Sequence, residues 1–283
     1  MRTTLVTIPT DTTPLDGAFY EPESIEPMGA ALLLHGNTMN FYVGASRFLP
    51  PALTRLGLVC LAFNRRGHDI LTTRDSRYAG GAAFQLTREA ISDNRFAAQW
   101  LAARGFPQPL VIGHSNGGTL AARHVADHPQ TPALVLLSAH CGGKQLVPRA
   151  CAAGLLAGAR VAEITAQAHT MVAAGRGREL MLLPGWWYIT AAESFVDLLT
   201  ELPDTLELAP RIACTTLYLR GDQEPAELYP AEEFRRRAAG PCTVEIVPNC
   251  EHFYVGREEV VTSIVSCWIA RTLGLPVLGD TST

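Results

Sequence analysis

Leu110-Val111-Ile112-Gly113-His114-Ser115-Asn116-Gly117-Gly118 is the stretch that decides the fold. Three apolar residues run into Gly113, Ser115 stands between two glycines, and residues 116–127 continue with helical spacing. A serine in G-x-S-x-G between a strand and a helix sits on a sharp turn. Its backbone is strained there, and glycine on either side removes the Cβ clashes that would block the turn. The helix that follows points its N-terminal amides at the same spot, where they favour negative charge. Ser115 is the candidate nucleophile.

Working outward, short apolar runs at 30–34, 58–63, 110–112, 133–137, 215–219 and 243–247 alternate with amphipathic stretches at 87–104, 116–127 and 256–273. Ala90, Ala97, Trp100 and Leu101 share one helical face, as do Val261, Ile264, Val265 and Trp268. This alternation predicts an α/β fold, a mostly parallel central sheet flanked by helices. Residues 3–9 and 16–21 predict an N-terminal hairpin with Asp16-Gly17 near its turn. Residues 141–210 break the pattern. They are rich in Ala, Leu and Gly, show no strand, and predict a helical cap inserted between two halves of a core domain, 1–140 and 211–283. Such a cap would cover the carboxyl ends of the strands, where open α/β sheets bind ligands.

A serine hydroxyl needs a base to activate it, and the base needs an acid to orient it. In a fold with this strand–serine–helix turn the order along the chain is serine, acid, histidine. One strand ends at Gly221 and is followed by Asp222 and Glu224; a later one ends in a loop that carries His252. Of the eight histidines, His252 alone lies after a late strand and downstream of both. His124 and His128 fall on the helix after Ser115, where partial exposure is expected; His114 is expected to pack locally, and His169 lies in the insertion. Asp222 also suits a plain turn residue bonding nearby backbone. Asn116, next after the nucleophile, offers an amide to a developing oxyanion.

These motifs together resemble the α/β-hydrolase superfamily. In that family the acid commonly stands third after a strand-ending glycine, so Gly221-Asp222-Gln223-Glu224-Pro225 implies Glu224, with Asp222 as the alternative. His35-Gly36-Asn37 is similar to the family's H-G-x loop, which implies the Asn37 amide as the second oxyanion donor and His35 as a loop-shaping residue. Asn64-Arg65-Arg66-Gly67-His68 is similar to its R-G-x-G loop with His68 in place of the second glycine, a structural segment in which Arg65 or Arg66 bonds the loop. The resemblance implies a serine hydrolase acting on an ester, lactone or thioester. C–C bond hydrolysis and acyl transfer would use the same residues, and a ligand-binding receptor on the same scaffold, with slow or absent turnover, is a third reading. Serine at 115 disfavours the members with an aspartate nucleophile.

Phe41, Tyr42, Trp186, Trp187 and Phe253 are candidates to line an apolar substrate pocket, with Tyr188 and Phe195 beside them in the insertion.

The remaining readings are exclusions. The chain has 283 residues, 47% hydrophobic and 18% charged, with a formal charge of -4 and a pI near 6.1. That balance is globular and offers no basic footprint for nucleic acid. No window suggests a membrane span or a signal peptide. No G-x-G-x-x-G or P-loop suggests a nucleotide cofactor, and no clustered Cys/His set suggests a metal. The seven cysteines are scattered, which suits reduced thiols in a cytoplasm. A small-molecule substrate is the expected partner.

Overall fold

The computed structural model describes residues 1–73, 77–184 and 188–276. Its main sheet has eight strands: β1 (Arg2–Ile8), β2 (Leu15–Glu21), β3 (Gly29–Leu34), β4 (Leu58–Phe63), β5 (Leu110–His114), β6 (Ala133–Leu137), and, after the insertion, β9 (Thr215–Gly221) and β10 (Cys242–Val247). Their order is β1-β2-β4-β3-β5-β6-β9-β10. β1 pairs antiparallel with β2 and β2 antiparallel with β4, and every later pairing in the sheet is parallel. The central strands β4, β5 and β6 are buried along their whole length, as continuous apolar runs under helices on both faces require.

Helices α1 (Ala45–Phe48), α2 (Pro50–Arg55), α3 (Thr87–Ala102), α4 (Asn116–Asp127), α5 (Leu146–Ala152), α6 (Val161–Ala173), α7 (Ala192–Thr200), α8 (Thr205–Leu208), α9 (Ala231–Arg237) and α10 (Glu258–Leu273) complete the fold. One face of the sheet buries Leu32, Leu34, Val59, Val111 and Leu136 against Trp100, Leu101, Ala121 and Val125. The other buries Leu33, Cys60, Ile112, Val135 and Leu219 against Leu49, Leu53, Val261, Val265 and Trp268.

The expected hairpin forms with Asp16-Gly17 near its turn: Asp16 pairs with Thr7 and Gly17 with Val6 at the start of β2, and the chain turns through residues 9–14. Glycine is needed at 17 because β4 comes close: an added Cβ would lie 2.7 Å from the Ala62 carbonyl oxygen and 3.0 Å from the Phe63 Cβ. Residues 141–210, expected to hold no strand, do contain a small antiparallel pair, β7 (Leu180–Leu183) and β8 (Tyr188–Ala191). Met181 and Leu183 face inward while Leu180 and Leu182 face out. Four residues of period-two burial are too few to stand out in a Leu-rich stretch.

The residues between β6 and β9 have a hydrophobic cluster of their own, with Leu146, Val147, Ile164, Ala168, Met171, Met181, Leu183 and Phe195 at its centre. Their two connections to the sheet are tied together. The Thr205 amide donates to the Cys141 carbonyl (2.8 Å) and the Gly143 amide to the Pro203 carbonyl (3.0 Å). Further along, Asp197 of α7 accepts from both the amide (2.8 Å) and the hydroxyl (2.6 Å) of Thr87, capping α3 from outside its own sequence. Tyr188 donates to the Ala82 carbonyl at 2.8 Å. No described helix is long and apolar enough to cross a membrane.

Candidate active site

The site collects at the carboxyl ends of the parallel strands. Ser115 follows β5 with φ 56° and ψ −122°, the strained turn that the flanking glycines imply. A Cβ at Gly117 would overlap the carbonyl oxygens of Leu34 and His35, and one at Gly113 would overlap that of Gly117. The backbone of the turn therefore packs directly against the loop after β3. The Ser115 amide donates to the Leu137 carbonyl at 2.9 Å, and the residue is 8% exposed.

His252, in the loop after β10, has Nε2 at 3.0 Å from Ser115 Oγ and Nδ1 at 2.7 Å from Glu224 Oε1. A carboxylate can only accept, so Nδ1 carries the proton and Nε2 is left free to accept from the serine hydroxyl. Glu224 is 6% exposed, and its second oxygen accepts from the Gly221 amide (2.7 Å) and the Ser138 hydroxyl (2.6 Å). Asp222 is not brought to His252. Its two oxygens accept from the amides of Asn249 (2.9 Å) and Cys250 (3.1 Å). Those bonds hold its carboxyl below the ordinary aspartate range. Asp222 thus orders the loop that leads to His252.

Asn116 opens α4, and Asn37 follows Gly36 in the loop after β3. Gly36 is pressed against the elbow, since an added Cβ there would lie 3.3 Å from the Ser115 Cβ. Among the described residues neither the Asn37 nor the Asn116 amide has a protein acceptor. His35 shapes this loop. Its Nε2 accepts from the Arg65 amide (3.2 Å), and Nδ1 then donates to the Gly36 carbonyl (2.7 Å). Burial, then the Arg65 charge, keep His35 neutral, with a pKa well below 6.5. Both arginines of the next loop make loop bonds: Arg65 donates to the His35 carbonyl at 2.7 Å, and Arg66 pairs with Asp93 at 2.7 Å.

Two further histidines border the site. His114 donates from Nε2 to the His252 carbonyl at 2.9 Å, and the two rings are 4.9 Å apart. His140 lies beside Thr119, with Nδ1 3.0 Å from Thr119 Oγ1. Burial and the neighbouring His252 push both down to a pKa of about 3. His124 is buried rather than partly exposed, because the α4 face that carries it packs into the core, while His128 is half-buried. The two rings stack at 4.2 Å. Among the described residues no group of three or more His, Cys, Asp or Glu could hold a metal ion.

The aromatic candidates divide. Phe253 is 45% exposed with its ring 5.0 Å from that of His252. Phe41 packs against the sheet core, and Tyr42 beside it is 53% exposed. Phe195 is fully buried inside the insertion. Trp186 and Trp187 lie outside the described residues. Tyr229, which no motif singles out, places its ring 5.1 Å from His252. Ser138 and Tyr254 were equally silent: a lone serine after an apolar strand and a tyrosine two residues past His252 carry no motif. A cavity of about 300 Å³ lies beside residues 64–68, and its lining includes none of Ser115, Glu224 and His252.

The family model described as "Alpha/beta hydrolase family" matches residues 31–263. No curated protein matches the sequence. Among solved structures, Est1E from Butyrivibrio proteoclasticus is similar with a TM-score of 0.68 at 17% identity, covering 95% of this chain and 99% of that one. A highly thermostable carboxyl esterase from Bacillus coagulans is similar with a TM-score of 0.71 at 14% identity, covering 96% and 99%. The alpha/beta hydrolase GrgF from Penicillium sp. sh18 is similar with a TM-score of 0.72 at 12% identity, covering 97% and 100%. At these identities the likeness is one of fold.

Proposed function

Because the chain belongs to the alpha/beta hydrolase family, we propose that it is a serine hydrolase cleaving a carboxylic ester, lactone or thioester of a small apolar substrate through an acyl-enzyme. The observation that carries this reading is the hydrogen-bonded line from Ser115 Oγ through His252 to Glu224, at 3.0 and 2.7 Å. Ser115 Oγ attacks the carbonyl carbon while His252 Nε2 takes its proton. Glu224 stabilises the imidazolium that results. The amides of Asn37 and Asn116 receive the oxyanion of the tetrahedral intermediate. His252 then returns the proton to the leaving alkoxide or thiolate. Water activated by the same nitrogen hydrolyses the acyl-enzyme, restoring Ser115 and releasing the acid.

Residues 141–210 act as a cap in this reading, supported by the hydrophobic cluster they build, into which Ala82, Leu228 and Tyr229 of the rest of the chain pack, and by their anchorage on Thr87 and Ala82. Phe253 and Tyr229, whose rings lie 5.0 and 5.1 Å from that of His252, support an apolar acyl or leaving group. The unpaired state of all seven cysteines supports a reducing compartment. Hydrolysis of p-nitrophenyl esters of graded acyl length tests the reading. The wild type is expected to turn over short esters, and Ser115→Ala or His252→Ala to lower kcat by about 10³-fold or more. Equal rates in wild type and variants would contradict it.

A further inference from the structure

Glu224 carries one more rotatable bond than an aspartate, so its carboxylate has more freedom to lose on becoming the partner of His252. The structure supplies restraint from an unexpected quarter. Ser138, the first residue after β6 and fully buried at φ 45°, places Oγ 2.6 Å from Glu224 Oε2. The Tyr254 hydroxyl lies 2.6 Å from the same Oγ. Direction follows from chemistry. An ionised carboxylate has no proton to give, so Ser138 donates to Glu224 and must accept from Tyr254. Tyr254 is buried too, and burial together with the Glu224 charge holds its phenol pKa well above 10, so it remains a donor.

We propose that Ser138 and Tyr254 form a two-hydroxyl relay that positions Glu224 for catalysis, making a five-residue line Tyr254–Ser138–Glu224–His252–Ser115. Neither residue touches substrate; both act through the acid. The proposal rests on the serine-hydrolase reading. With the Gly221 amide, the relay fixes the plane of the carboxylate, leaving Oε1 aimed at His252 Nδ1. Ser138 and Tyr254 come from different strand ends, so the relay also ties the loop bearing the base to the end of β6.

The test compares Ser138→Ala, Tyr254→Phe and the double variant in ester hydrolysis, alongside labelling of each by a fluorophosphonate probe. Ser138→Ala is expected to lower kcat about 10- to 100-fold, as for loss of a hydrogen bond to a charged group, with KM changed less than about twofold. Tyr254→Phe lowers kcat by less. Because Tyr254 acts only through Ser138, the double variant matches Ser138→Ala instead of multiplying the two losses. The downfield proton resonance of the His252–Glu224 hydrogen bond, present in the wild type, shifts or broadens in Ser138→Ala. Tyr254→Phe conserves shape and serves alone should Ser138→Ala fold poorly. Wild-type kcat in both single variants, or strictly multiplicative losses, overturns the relay while labelling at Ser115 leaves the triad standing. No labelling of the wild type sinks both.

Discussion

Ser115 holds a positive φ that costs a non-glycine residue about 1–2 kcal/mol, and it does so within hydrogen-bond reach of His252. Ser115→Gly is therefore expected to raise the thermal midpoint while abolishing turnover, and calorimetry beside an ester assay reads both. A lower midpoint would mean the turn is not strained. Glu224→Asp withdraws the carboxylate from His252, Ser138 and the Gly221 amide together; kcat should fall about 10- to 100-fold. Asp222→Ala, which removes the bonds to the Asn249 and Cys250 amides, should act mainly on stability, lowering the urea midpoint while leaving kcat close to wild type. At this scale the sequence disclosed Ser115, Glu224 and His252 as candidates because each follows a strand at a spacing that chemistry recognises. Ser138, Tyr254 and Tyr229 were not legible, because their placement depends on which strand ends become neighbours and no local pattern records that.

The elements are held where they are by close backbone contact as much as by apolar packing. A methyl group at Gly117 would collide with the loop after β3, so Gly117→Ala is expected to cost roughly 3 kcal/mol or more, as overpacking against backbone does. Chemical denaturation checks this, and a near-neutral result would mean the Ser115 turn and the loop after β3 are more loosely packed. Most strands were legible because fully apolar runs of five or six residues under two helical layers leave no other reading. Asp16-Gly17 was legible as the approach to a hairpin turn, but the need for a bare backbone at Gly17 was not, because it comes from β4, far along the chain. The small pair β7–β8 escaped because β7 is four residues of alternating burial in a leucine-rich stretch and its partner β8 is equally short.

Across the whole molecule, burial of neutral histidines sets the response to acid. Burial, before any other cause, holds His114 and His140 at a pKa of about 3, His124 at about 4 and His35 well below 6.5. The unfolded chain binds protons at these sites below about pH 6.5 while the native chain does not, so their stabilisation is complete above that pH and is lost as pH falls towards 4. Each such group removes about 1.4 kcal/mol per pH unit in that window. Urea midpoints should drop between pH 7.5 and 5, and His124→Gln should flatten the slope; an unchanged slope would place His124 in water. The mostly parallel α/β sheet was legible at this scale from the alternation of apolar runs and amphipathic helices, and the α/β-hydrolase resemblance from the ordered motifs, whereas the anchoring of the insertion through Asp197 and Thr87 joins residues too far apart in sequence to be foreseen. The most direct test of the central claim is the mass of the intact chain after incubation with a fluorophosphonate probe, followed by peptide mapping. One adduct per chain is expected, on Ser115, lost in His252→Ala; a folded protein that takes no label, or takes it at another residue, would rule out Ser115 as an activated nucleophile.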